Sequence, residues 1–154
     1  MGLDVYLIIE AETPETIAKK FLDIDTLKKQ NSDCLDVHEI SVWQIEKALA
    51  AALAASSEPV QVYWANITHN LGKMASEAEI YEYLWRPEEI NIVYAEQLIQ
   101  PLTKGLFKLK ADPDHYKTFE APNGWGLYEN FVPFVERYLE ACIDHPSAKV
   151  HADR

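Results

Sequence analysis

The sequence has little of what marks several large classes of protein. Its 154 residues include two cysteines, Cys34 and Cys142, which are too few for a disulfide framework. Its longest apolar run, residues 48–55, is much shorter than a membrane-spanning helix. The first residues show no basic segment followed by an apolar run and a cleavage site, so no signal peptide is expected. These absences predict a soluble cytoplasmic protein in a reducing compartment.

Positive charge is also scarce, since 14 Lys and Arg residues face 25 Asp and Glu residues and the formal net charge is −11. A surface of this charge repels phosphate backbones and anionic lipid, so neither a nucleic acid nor a membrane is expected as a partner. A basic protein partner fits the charge better, and homo-oligomerisation stays open. The hydrophobic content of 48% is ordinary for a folded domain, so extensive disorder is not expected.

Hydrophobic periodicity predicts short strands that alternate with helices. Apolar and polar residues alternate at 3–10, and further strands are predicted at 60–65 and 148–153. Helical spacing is clearest at 67–78, 93–110 and 127–143. We therefore predict an α+β fold: a small, about three-stranded, mainly antiparallel sheet packed against several amphipathic helices. Residues 1–154 are interpreted as a single domain, with 13–59 as a candidate helical insertion between the first two strands.

A polar cluster interrupts the stretch VYWANITHNLGKMA, which runs from Val62 to Ala75. If the helix begins near Ile67, His69 points away from the core toward Lys73. One interpretation is a capped helix with a solvated face, and this ordinary interpretation is favoured. The other is a ligand-binding surface at the helix N-terminus, where unpaired N–H groups attract an anion.

Two tryptophans lie in further polar segments. Trp85 precedes Arg86, and this pairing is typical of interface hot spots when both side chains are exposed. The favoured alternative places Trp85 in the core and pairs Arg86 with Glu88 or Glu89.

Trp125 lies between Gly124 and Gly126, which permit unusual backbone geometry. It either covers one edge of the core from a loop before the last helix, which is the favoured interpretation, or presents its ring to a ligand.

Residues with catalytic chemistry are scattered along the chain. Asp23 and Asp25 form a pair and Asp112 lies near His115, but neither group has the spacing of a known metal site. No serine lies in a nucleophile elbow, and no catalytic residue, metal ligand or cofactor is predicted. A hydrolase or transferase with His69 as general base ranks last, because no partner that would orient His69 is visible in the sequence.

Several motifs together resemble a group of short phage, prophage and bacterial hypothetical proteins. They are the opening MGLDVYL and the segments ANITHNLGKMA, LWRPEE and NGWG. The resemblance covers most of the chain from Tyr63 onward and the first strand. It implies a bacterial or mobile-element origin and no particular activity. The segment 13–59 is longer than such proteins usually carry, which suggests an insertion or a partner-specific addition.

The leading hypothesis is a non-catalytic protein that binds a small polar, nucleotide-like ligand where the three motifs converge. The tryptophans would stack on a ring, Arg86 would hold an anionic group, and the amides and hydroxyl would bind polar edges. The competing hypothesis is an acidic protein–protein interaction module, such as an inhibitor or antitoxin-like adaptor. The candidate ligand-binding residues are Asn66, Thr68, His69, Asn70, Lys73, Trp85, Arg86, Asn123 and Trp125.

Overall fold

The sheet joins segments from opposite ends of the chain. The structure, a computed structural model, describes residues 2–10 and 58–154. Strand β1 is Gly2–Ile9, β2 is Val60–Thr68 and β3 is Lys149–Asp153. They form a three-stranded antiparallel sheet in the order β2-β1-β3. The register of β1 and β3 runs from Asp4 opposite Asp153 to Ile8 opposite Lys149.

Helices follow β2 and occupy most of the chain before β3. A 3₁₀ turn, His69–Leu71, leads into α1, and a second one, Pro87–Ile90, follows α2. The α-helices of the described residues are α1, Gly72–Glu77; α2, Tyr81–Trp85; α3, Glu96–Ala111; α4, Pro113–Lys117; and α5, Tyr128–Asp144. This arrangement confirms the predicted α+β fold.

The core lies between one face of the sheet and the helices. Leu3, Val5 and Leu7 alternate along β1 and are buried, as their period of two predicts. The ring of Tyr63 on β2 stacks on that of Tyr138 on α5, with 5.5 Å between centroids. Strand and helix are thereby joined through aromatic side chains, and Cys142, also on α5, is fully buried.

Helix α3 passes very close to the chain that precedes α2. A Cβ atom built on Gly105 would lie 2.2 Å from Cγ2 of the fully buried Ile80. Gly105 therefore allows a close approach that any larger residue would block. Pro101 is only partly buried, as expected for a proline on the outer side of a helix.

The boundary between β2 and the following helix differs from the prediction. The strand continues through Asn66 and Ile67 to Thr68, whereas the sequence placed the start of a helix at Ile67. Ile67 is buried as predicted, but on a strand. An apolar residue at this position satisfies both the period of the strand and that of a helix, so periodicity could not separate them.

Contacts divide the chain into two compact units, residues 1–9 with 61–154 and residues 10–60. The predicted insertion at 13–59 falls almost wholly outside the described residues and stays a prediction. Cys34, Asp23 and Asp25 lie in the same segment, outside the described residues. Within 2–10 and 58–154, no helix is both long and apolar enough to cross a bilayer.

Candidate functional site

Two of the three polar-aromatic segments meet at one groove. The end of β2, the 3₁₀ turn after it and the loop before α5 surround a cavity of about 570 Å³. None of its described lining side chains is acidic, lysine or arginine. The lining residues are Gly2, Asn66, Thr68, His69, Asn70, Asn123 and Trp125.

Glycine brings the loop against the 3₁₀ turn. Gly126 has a φ of 104°, and a Cβ atom there would lie 3.0 Å from Cβ of Asn70. Any other residue would be strained by this φ and crowded by Asn70. Gly126 therefore explains why a segment more than fifty residues away in sequence reaches the polar cluster.

The same loop presents an indole ring to solvent. Trp125 is 70% exposed, so the prediction that it covers an edge of the core is wrong. The Asn123 side-chain oxygen accepts a hydrogen bond from the Trp125 backbone N–H at 3.0 Å. Gly124 adopts a φ of 72°, and together these features hold the loop in a turn that displays the ring.

The polar wall of the groove is held by hydrogen bonds from β1 and β2. The Asn66 amide donates to Oδ1 of Asp4 at 3.0 Å, and the Trp64 indole donates to the same oxygen at 3.1 Å. Thr68 Oγ1 accepts from the backbone N–H of Asn70 at 3.4 Å and caps the 3₁₀ turn. The side-chain amide of Asn70 is exposed and bonds to no other described residue. The wall thus retains both amide donors and amide acceptors for a ligand.

His69 is oriented by a partner that the sequence did not reveal. The Trp85 indole Nε1–H donates to Nδ1 of His69 at 2.9 Å, and the two ring centroids are 6.5 Å apart. The prediction that His69 points directly away from the core is therefore wrong, although His69 and Lys73 do line the same cavity. The difference arises because β2 extends to Thr68, so the helix begins later than predicted and starts as a 3₁₀ turn. His69 is therefore rotated toward α2.

Trp85 and Arg86 do not line the groove. Trp85 is 1% exposed and its ring stacks on Tyr81 at 5.2 Å between centroids, which leaves no face for a ligand. Arg86 donates to Glu89 at 2.6 Å, and Arg154 pairs with Glu88. The favoured interpretation of this segment, a core tryptophan and an arginine paired to Glu89, is confirmed.

A second cavity of about 730 Å³ shares His69 with the groove. It is lined by residues of α1 and α2 together with Phe119. Lys73 lies here and forms no ion pair within the described part of the chain. Glu77, on the same wall, pairs with Nε2 of His115 at 3.0 Å.

A third cavity, of about 960 Å³, lies between α2 and α3 and was not predicted from the sequence. Phe107 on its rim is 75% exposed. Beside it, Lys108 and Lys104 both pair with Glu79, and together they hold the pKa of that carboxyl at about 2. The one available signal was the position of Phe107, which falls outside the apolar stripe of its helix.

Groups suited to nucleophilic or metal chemistry are few among the described residues. No set of three or more His, Cys, Asp and Glu side chains is arranged to hold a metal ion within 2–10 and 58–154. Burial raises the pKa of the Cys142 thiol to about 12, so the thiolate that would act as a nucleophile is strongly disfavoured.

Comparison with known proteins concerns mainly the segment outside the groove. No curated protein and no solved structure matches the chain. Residues 10–56, a minority of the chain, are similar to a family described as "Family of unknown function (DUF6900)".

Proposed function

We propose that the chain is a binding protein whose groove takes a small, planar, polar ligand of the nucleobase type. The observation that carries the proposal is the 70% exposed ring of Trp125 beside a wall of asparagine, threonine and histidine side chains. Such a ring offers a flat face for stacking, and amide edges pair with the donor and acceptor pattern of a heteroaromatic base.

The charge of the groove favours a neutral ligand. Its described lining has no arginine or lysine, and Arg86, expected to hold an anionic group, is paired with Glu89 instead. A nucleoside or a free base therefore suits the groove better than a phosphate group does. In a nucleotide, the phosphate would have to reach Lys73 in the neighbouring cavity.

Each wall of the groove has a distinct role in this proposal. Trp125 stacks on the ring, while Asn66 and Asn70 pair with its polar edge. His69, which lines both the groove and the second cavity, supplies a further donor. With the resemblance to phage proteins, the proposal extends to sequestration of a small host signal that contains a base.

Isothermal titration with adenosine, guanosine, cytidine and uridine tests the proposal. We expect at least one nucleoside to bind the wild-type protein and Trp125→Ala to weaken this binding by about 5- to 150-fold, because base–aromatic stacking contributes about 1–3 kcal/mol. Phe107→Ala is the matched control, since it removes an equally exposed aromatic ring outside the groove. Equal binding by wild type and Trp125→Ala, or binding of none of the four, would overturn the proposal.

A second candidate function, docking of a basic protein, is favoured by the cavity between α2 and α3. Phe107, Tyr83 and Pro101 offer apolar surface there, and Glu82 on the same wall forms no ion pair with any described residue. A partner protein with an apolar side chain beside a basic one would match both the apolar surface and the carboxylate of Glu82.

Native mass spectrometry of gently purified protein separates the two candidates. Binding at the groove predicts a retained mass of small-molecule size that Trp125→Ala loses and Phe107→Ala keeps. Docking at the cavity predicts a protein-sized adduct with the opposite dependence on these two variants.

A further inference from the structure

Trp85 is a core residue whose one polar side-chain atom bonds to a residue of the groove. The side chain is 1% exposed and packs face to face on Tyr81. Its Nε1–H donates to Nδ1 of His69, a residue that lines the groove, at 2.9 Å. A purely apolar ring would fill the same space, so the indole N–H is a feature that packing alone does not require.

The direction of this hydrogen bond fixes where the imidazole carries its proton. An indole N–H is a donor only, so Nδ1 of His69 must be the acceptor. A neutral imidazole has one N–H, which therefore lies on Nε2. The other tautomer would set two N–H groups against each other and leave the buried indole without a partner, and this cost selects the first.

We propose that Trp85 is a positioning residue that fixes His69 as an Nε2–H donor, so that the groove prefers planar ligands offering a hydrogen-bond acceptor. The tautomer follows from the contact between the two rings alone. The ligand preference rests on the proposed function. In this state Nε2 already carries a hydrogen, which is unsuited to accepting a proton from a substrate and disfavours His69 as a general base.

The tautomer is tested first, without any ligand, by ¹⁵N NMR of the His69 imidazole at a pH where the ring is neutral. We expect the wild type to show a protonated Nε2 and an unprotonated Nδ1. Trp85→Phe keeps an aromatic ring on Tyr81 but removes the donor, and we expect a mixture of tautomers. Trp64→Phe is the matched control, because it removes an indole that donates to Asp4 instead, and we expect it to leave the His69 signals unchanged.

Two results would overturn the assignment. One is an Nδ1–H tautomer in the wild type, which decides the question even if Trp85→Phe fails to fold. The other is an unchanged Nε2–H population in folded Trp85→Phe, which would show that something other than the indole selects the tautomer.

The ligand preference is tested by titration with adenosine and three analogues in which one ring nitrogen acceptor is replaced by C–H. We expect one analogue to bind the wild type about 5- to 10-fold more weakly, because one neutral hydrogen bond contributes about 1 kcal/mol. In His69→Phe that difference should vanish. Equal affinities for all four compounds would refute the acceptor preference. If neither these compounds nor any of the four nucleosides binds, the proposed function is refuted and the tautomer assignment still stands.

Discussion

The contact between Trp85 and His69 makes a quantitative prediction about stability. Replacing His69 by Phe keeps a ring of similar size but removes the acceptor of the Trp85 N–H. That N–H is buried, and an unsatisfied buried donor costs about 1–3 kcal/mol. Replacing Trp85 by Phe removes the donor instead and adds a packing loss of about 1–3 kcal/mol. Each single variant should therefore unfold more easily than the wild type.

The double variant distinguishes the hydrogen bond from the packing around it. When Trp85 is already Phe, no buried N–H remains to lose its acceptor. His69→Phe should then lower the free energy of unfolding far less. We expect the double variant to be less destabilised than the sum of the single variants, by about 1–2 kcal/mol. The double variant costs less than the sum because both single variants break the same hydrogen bond, and the double variant can break it only once.

Urea unfolding followed by far-UV circular dichroism measures all four proteins of this cycle. Tryptophan fluorescence is unsuitable because two of the four proteins lack Trp85. The slope of the free energy of unfolding against urea should stay constant across the set, since a changed slope indicates a changed unfolded or native state. Additivity within about 0.3–0.5 kcal/mol would refute the reasoning, because residues that do not interact behave in this way.

Further predictions concern other parts of the fold. Gly105→Ala should lower the unfolding free energy by about 1–2 kcal/mol in urea titrations, because overpacking against Ile80 outweighs the gain in helix propensity. In an Ile80→Ala background, which removes the crowding Cγ2, the same substitution should be neutral or stabilising. The pKa of Glu79 is lowered from 4.5 to about 2 by two lysines of α3, so its contribution to stability is present above about pH 4.5 and is lost as the pH falls toward 2. Glu79→Gln should therefore flatten the loss of thermal stability over this range, whereas Glu129→Gln, an exposed acidic control on α5, should not. The buried Cys142 thiol, whose pKa is about 12, should resist iodoacetamide at pH 8 in the native protein and react in urea, as read by peptide mass spectrometry.

The sequence predicted the elements whose burial pattern has a single period. Helix α5 was expected at 127–143 and is Tyr128–Asp144, with Phe131, Val135 and Cys142 inside. Strand β1 was expected at 3–10 and is Gly2–Ile9. In both segments the alternation of apolar and polar residues fits one kind of element only, so the pattern alone identifies the element as a helix or a strand.

The site was predicted less well because its geometry depends on contacts distant in sequence. Asn66, Thr68 and Asn70 were grouped from the sequence, and the structure gathers them with Asn123 and Trp125 in one groove. Their binding of a ligand stays a prediction. No local pattern indicates this meeting, which requires the close approach of Gly126 to the 3₁₀ turn.

The orientation of His69 was missed for a related reason. A shift of the helix start by a few residues rotates each side chain by about 100° per residue, so a small boundary error reverses the direction of a side chain. Its partner Trp85 lies sixteen residues later, on another helix, and the hydrogen bond between them has no sequence signature.

The central claim, that the groove binds a planar polar ligand, is tested most directly by ¹H–¹⁵N NMR of the protein with each of the four nucleosides. We predict that at least one produces saturable shifts of the Trp125 indole signal and of the side-chain amides of Asn66, Asn70 and Asn123, with no shift at Phe107. Saturable shifts confined to the cavity around Phe107, or no saturable shift with any nucleoside, would contradict it.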